Sequence, residues 1–295
     1  MDGLCCGPGY ASPSEAIQAP REKLLYTIAI YTGTGIQKPD YLATIDIDPD
    51  SKNYSKVIHR LEMPGIGDEL HHMGWNACSS CHSDEKMSRK YLLVPGVRSN
   101  NIYVVDTATN PLSPSIYKII DGSEIKSKTN LSGPHTVHCL GSEIIISFLG
   151  DARGEAPGGY LHLNKDFEIQ GRWENSMGDI PFSYDFWYQP RHNVMISSEW
   201  AAPNTFMPGF DLEEVGHLKY GRRLHVWDFE KNENHSQISK YAWPQILADK
   251  MELTCINLAK GGASNKEIHH TALTTPDITS SDIVIVQWTY PERWC

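Results

Sequence analysis

Apolar positions along this chain come in short runs rich in Val, Ile, Leu, Tyr and Trp, bounded by Gly, Pro, Asn and Asp, and a sustained helical period is scarce. The one clear helical candidate is SPSEAIQAPREKL, Ser12 to Leu24, interrupted by Pro20. Four stretches repeat one shape, an apolar strand followed by Asp or a polar turn and a second strand. They are YLATIDIDP from Tyr41, NIYVVDTATNP from Asn101, YLHLNKDFE from Tyr160 and LHVWDFEKNE from Leu224. The partner strands are KVIHRLEMP, SIYKII, IQGRWE and HSQISKY. The starts lie roughly 60 residues apart, somewhat longer than the common propeller repeats of about 40–50 residues.

A further strand precedes three of these hairpins: KYLLVPG from Lys90, SEIIISFLG from Ser142 and HNVMISSEW from His192. Three or four antiparallel strands per unit make a β-propeller blade, so the pattern predicts an all-β chain of about four blades. The competing reading is an irregular β-sandwich. The phase matters, because the innermost strands of a propeller line its central channel. Just before the three upstream strands stand HHMGWNAC, GPHTVHCLG and FSYDFWYQPRH, the segments richest in His, Cys and aromatic residues. Equivalent places in successive repeats would bring distant histidines to one axis.

That convergence selects the candidate chemistry. His71 and His72 are adjacent, and in a regular strand their side chains would diverge; a loop or bulge would let both turn inward. His135 and His138 sit three apart in GPHTVHCL, where Gly133 and Pro134 suggest a loop before a strand. Three or four imidazoles without a carboxylate suit copper or zinc, with Asp68 or Glu69 placed to orient a ring N–H. Cys78 and Cys81 form CSSC, a soft thiol pair open to selenium or metal. A zinc-bound dithiol is the weaker reading, since no second CxxC is present. Tyr184, Asp185 and Trp187 in YDFWYQPRHN are candidates for the wall of a small apolar substrate pocket, with Glu199 a further nearby carboxylate. His269 and His270, in an unrelated context, read as exposed residues.

Composition narrows the function classes. At 295 residues with 40% apolar and 10% aromatic residues, the chain can bury a core. A formal charge of −10 without a basic block argues against nucleic-acid partners. The amino terminus carries neither a charged segment with an apolar run nor a Met-Gly start, and EIIISFLG is too short to span a bilayer. Seven scattered cysteines fit reduced thiols. These features lead us to expect a cytosolic protein. Neither a Walker pattern nor GxSxG occurs, and YTGTGIQKP lacks the strand and helix of a phosphate loop.

In order from Cys6 to about Glu230, CGPGYASPSEAIQAPREKLLY, PDYLATIDIDPDS, VIHRLEMP, DELHHMGWNACSSC, IYVVDTATNP, HTVHCL, YDFWYQPRHNVMISSEWAAPN and LHVWDFE resemble the selenium-binding protein family, also known as methanethiol oxidases. The resemblance implies a seven-bladed propeller and a copper-dependent oxidation of methanethiol with oxygen and water to formaldehyde, hydrogen sulfide and hydrogen peroxide. It implies histidine ligands for copper, carried here by His71 and His72 and by His135 or His138. It also implies selenium binding, a role in intra-Golgi transport, and a nuclear or peripheral-membrane pool beside the cytosolic one. The alternative it leaves open is a non-catalytic selenium- or metal-binding interaction protein. The family cysteine linked to selenium is replaced here by Ser55. Beyond about residue 240 the family blocks stop, so the expected organisation is a partial propeller over 1–240 and a divergent, poorly ordered segment over 241–295. An incomplete ring would expose a sheet edge able to mediate self-association.

Overall fold

A computed structural model describes residues 9–79, 87–189 and 192–234. The chain divides into two units, Met1–Ser236 and Gln237–Cys295, and every described residue lies in the first. Cys81, His269, His270 and the segment 241–295 therefore fall outside the described residues.

The strands assemble into four antiparallel sheets, each built from consecutive strands. The first holds β1 (Leu24–Ala29), β2 (Tyr41–Asp46) and β3 (Val57–Glu62). The second holds β4 (Gly74–Trp75), β5 (Tyr91–Pro95), β6 (Ile102–Asp106) and β7 (Ser115–Ile120). The third holds β8 (Leu131–Leu140), β9 (Glu143–Asp151), β10 (Gly159–Leu163) and β11 (Ile169–Arg172). The fourth holds β12 (Phe186–Gln189), β13 (Val194–Ser198), β14 (Leu224–Asp228) and β15 (Glu233–Asn234). Repeated meanders of this kind are the blades of a β-propeller, four of them among the described residues, as the strand repeat predicts.

The apolar runs are continuous because middle strands bury both faces. On β5, Leu92 and Val94 join Leu42, Met63 and Leu70 between the first and second sheets, whereas Leu93 faces the third. On β6, Tyr103 and Val105 point to the first sheet while Ile102 and Val104 point to the third. Along β9, Ile144, Ile146 and Phe148 pack toward the second sheet, and Ile145, with Tyr160 of β10, toward Phe186, Met195 and Trp227 of the fourth. Alternation with period two thus distributes one strand between two interfaces. At roughly 1.5–3 kcal/mol for each fully buried aliphatic or aromatic side chain, these interfaces are the main favourable term holding blade to blade.

Two expectations need correction. The amino-terminal helix is only Pro13–Gln18 (α1), capped by Ser12, whose Oγ accepts the Glu15 N–H at 3.2 Å. It ends before Pro20, and Leu24 already opens β1. The His-rich segments are also not all loops leading into the blades: HTVHC lies wholly within β8, and FWYQ is β12. A short helix, α2 (Gly122–Thr129), leads into β8; its N-cap Asp121 accepts the Ser123 N–H at 2.7 Å, and Asn130 closes it in the left-handed conformation.

Candidate metal centre

His71 and His72 lie in the connection from β3 to β4, where the backbone is fixed before it becomes a strand. The Asp40 carboxylate, fully buried, accepts the Leu70 N–H at 3.0 Å and the Tyr31 N–H at 2.8 Å. His71 donates its own N–H to the Pro95 carbonyl at 3.0 Å. Because the two residues are outside a regular strand, both rings turn the same way. Glu69 just before them is left-handed, with φ 50°, and its carboxylate pairs with Arg98. Asp68 is buried, and both its oxygens accept the Tyr103 hydroxyl at 2.9 Å.

His135 reaches the same point from the third sheet. Pairing of β8 with β9 advances from Pro134–Phe148 to Val137–Ile146, so β8 carries one extra residue there. This bulge turns the Thr136 N–H onto Ser147 Oγ at 3.0 Å, and His135 Nδ1 meets Thr136 Oγ1 at 3.0 Å. An Nδ1–H donated to that hydroxyl leaves the Nε2 lone pair unused. His135 is 1% exposed and its Nε2 has no hydrogen-bond partner.

The three rings form one cluster. Centroids lie 5.1 Å apart for His71–His72, 4.8 Å for His71–His135 and 4.1 Å for His72–His135, and one ring nitrogen from each lies within 4.8 Å of the other two. Burial pushes the His135 pKa down to about 2, with His72 and His71 adding repulsion. Burial likewise lowers His71, with His72 acting in the same direction and Glu69 against it. His72 is the most exposed of the three, yet desolvation still lowers its pKa, opposed by Asp185. All three are therefore neutral at pH 7, the form that binds metal. A buried imidazole nitrogen without a partner, beside two further neutral imidazoles and with no carboxylate in the set, fits a metal ion of the copper or zinc kind.

The fourth sequence candidate goes elsewhere. His138, further along β8, packs against Phe186 and Trp187 with ring centroids at 4.9 and 4.6 Å. Cys78 is partly exposed and packs, with Met87, against buried Ala77 and Cys139. Ser55 lies exposed in the β2–β3 turn, with φ 61°.

A cleft of about 260 Å³ opens onto His71 and His135. Tyr184 lines it, with its ring 4.4 Å from His135. Asp185 is exposed and Trp187 is 70% exposed, and neither lines the cleft. The rest of the aromatic wall is Trp200, which closes the HNVMISSEW stretch, and Phe206, Phe210 and Tyr220, which no sequence motif singled out. They come from the β13–β14 connection, which contains the short helices α3 (Pro203–Phe206) and α4 (Leu212–Gly216). Their clustering within about twenty residues was the available signal. Glu199 sits at the start of that connection and accepts from His225 Nε2 at 2.9 Å and from the Arg222 and Arg223 N–H groups at 2.8 and 3.0 Å.

Comparison with known proteins matches residues 4–246 to the model of the 56 kDa selenium-binding protein family. Selenium-binding protein 1 of Arabidopsis thaliana is 54% identical over 234 residues, which is 78% of this chain and 48% of the relative. Methanethiol oxidase of Rattus norvegicus is 53% identical over 230 residues, 77% of this chain and 49% of that protein. The X-ray structure of a hypothetical selenium-binding protein from Sulfolobus tokodaii superposes with a TM-score of 0.74 at 46% identity, covering 76% of this chain and 50% of that one. The chain spans about half the length of the relatives it matches.

Proposed function

Because the chain belongs to the 56 kDa selenium-binding protein family, we propose that it is an oxidoreductase of the methanethiol oxidase type, acting on a small thiol at a copper–histidine site. The reading rests on one observation: the convergence of His71, His72 and His135 around a buried, partnerless Nε2. These three side chains would hold the ion. Copper when bound supplies one-electron exchange with a thiolate and with oxygen, and it accepts imidazole and thiolate ligands together. The protein's own part is positional. The β8 bulge and the Asp40-anchored loop set the rings, their neutral state offers lone pairs, and the aromatic cleft gives an apolar thiol a path to His71 and His135 while limiting water around them.

The test is elemental analysis of purified chain, followed by turnover. We expect close to one copper per chain, lost in His135→Ala, and release of sulfide and peroxide from methanethiol by the loaded wild type. Wild-type protein that takes up no metal sinks the proposal. Full copper occupancy without product leaves the same histidines as a binding site in a non-catalytic protein.

A further inference from the structure

The cleft beside the histidines is larger than methanethiol needs. At ~30 Å³ per water in the liquid, a volume of about 260 Å³ accommodates roughly nine water-sized groups, whereas methanethiol has two non-hydrogen atoms. Its wall is a relay of rings leading away from the cluster: His135 to Tyr184 at 4.4 Å, Tyr184 to Trp200 at 5.7 Å, Trp200 to Tyr220 at 5.1 Å and Tyr220 to Phe210 at 5.4 Å. The charged lining residue, Glu69, is paired with Arg98, so no open charge selects an ionic ligand. A second observation points to an occupant. Tyr220 is 5% exposed and lines the cleft, and its buried hydroxyl donates no hydrogen bond, although the Asp211 main chain and the charges of Glu214 and Lys219 lie near it. A phenol buried without a partner is costly, and a ligand atom able to accept its hydrogen would remove that cost.

We infer that this cleft takes primary thiols bearing an aromatic ring, with the sulfur toward His71 and His135, the ring against Tyr184, Trp200 and Phe210, and a hydrogen-bond acceptor on the ring facing the Tyr220 hydroxyl. The inference rests on the proposed function, whose reaction generalises with atoms in balance: one primary thiol R–CH2–SH, one dioxygen and one water give one aldehyde R–CHO, one hydrogen sulfide and one hydrogen peroxide. The C–S bond breaks, and the carbon is oxidised by two electrons and gains its oxygen from water. Dioxygen is the oxidant and is reduced by two electrons and two protons to peroxide.

Binding to the metal-free full chain, measured anaerobically by calorimetry, tests the cleft separately from the metal. Phenylmethanethiol, with eight non-hydrogen atoms, should bind at least tenfold more tightly than methanethiol. Its 4-methoxy derivative should bind more tightly still. Phe210→Ala, at a side chain 64% exposed and so safe for folding, should weaken both ring thiols about fivefold or more. Tyr220→Phe should remove only the methoxy advantage. Equal affinity for methanethiol and the ring thiols, or no effect of Phe210→Ala, overturns the inference. A methoxy advantage that survives in Tyr220→Phe overturns the role of Tyr220. If these outcomes fail while His135-dependent copper uptake stands, the proposed function survives with small thiols alone. If copper uptake fails, the metal-free titration still reads the cleft.

Discussion

At the scale of single residues, His135 carries most of the physics of the centre. An ordinary imidazole titrates near 6.5, and burial holds this one down to about 2. Between those values the unfolded chain binds a proton that the folded chain refuses, so stability falls as pH drops below 6.5. Integrated from pH 7.5 to pH 5, the loss from this one group is about 2 kcal/mol. His135→Gln in metal-free protein should therefore lose less stability over that range than wild type, by about that amount, in urea titrations at the two pH values. An unchanged pH dependence would mean that His135 is not buried neutral. His71 and His72 shift in the same direction and keep part of the slope in the variant. The sequence brought these three histidines together with His138 through repeat phase, and the family resemblance pointed to the same set. It could not separate His138 from them, because which way a residue turns at a bulge depends on the partner strand.

At the scale of elements, the contact that sets the site is β4 lying against β8. Gly74 makes it possible: a Cβ there would stand 2.4 Å from the Val137 carbonyl oxygen and 2.8 Å from its Cβ. Those atoms belong to the bulged stretch that presents His135, so they cannot move without moving the ligand. Gly74→Ala should cost about 1–3 kcal/mol, the usual range for overpacking, and should weaken metal binding as well, because the His71–His72 loop runs directly into β4. Equilibrium unfolding and a metal titration on the same protein check both halves; normal affinity at reduced stability would refute the coupling. Much at this scale was legible. LLV, YVV and III are short apolar runs of strand-forming residues between turn residues, and the hairpins Tyr41–Glu62 and Ile102–Ile120 pair as the repeat implied. The bulge was not legible, since it changes the pairing count without changing the apolar pattern. Nor was the aromatic wall, because the β13–β14 connection that supplies Trp200 and Tyr220 has no strand period and is closed by an isolated bridge, Ala201–Tyr220, and by the Glu199 carboxylate on the Arg222 and Arg223 N–H groups.

At the scale of the described propeller unit, the cluster spans two blades: His71 and His72 enter the second sheet and His135 belongs to the third. Those sheets also meet through packing of Leu93, Val104, Val137 and Ile146 and through Tyr91 and Tyr117 against Phe167. A metal bound by all three histidines adds a tie between elements distant in sequence, and it favours the folded chain because the unfolded one has no such site. At a free ion concentration one hundred times the dissociation constant, the gain is about 2.7 kcal/mol. For a domain of this size that amounts to roughly 5–10 °C in melting temperature, at about 2–4 °C per kcal/mol. Thermal scans with copper and with a chelator should show this shift in wild type and lose it in His135→Ala. His138→Ala should keep it, since that ring faces Phe186 and Trp187 and not the cluster. A shift lost equally in both variants would place His138 among the ligands, and a shift retained in His135→Ala would place the metal elsewhere. The pair of variants thus decides which of the two histidines on β8 holds the blades together.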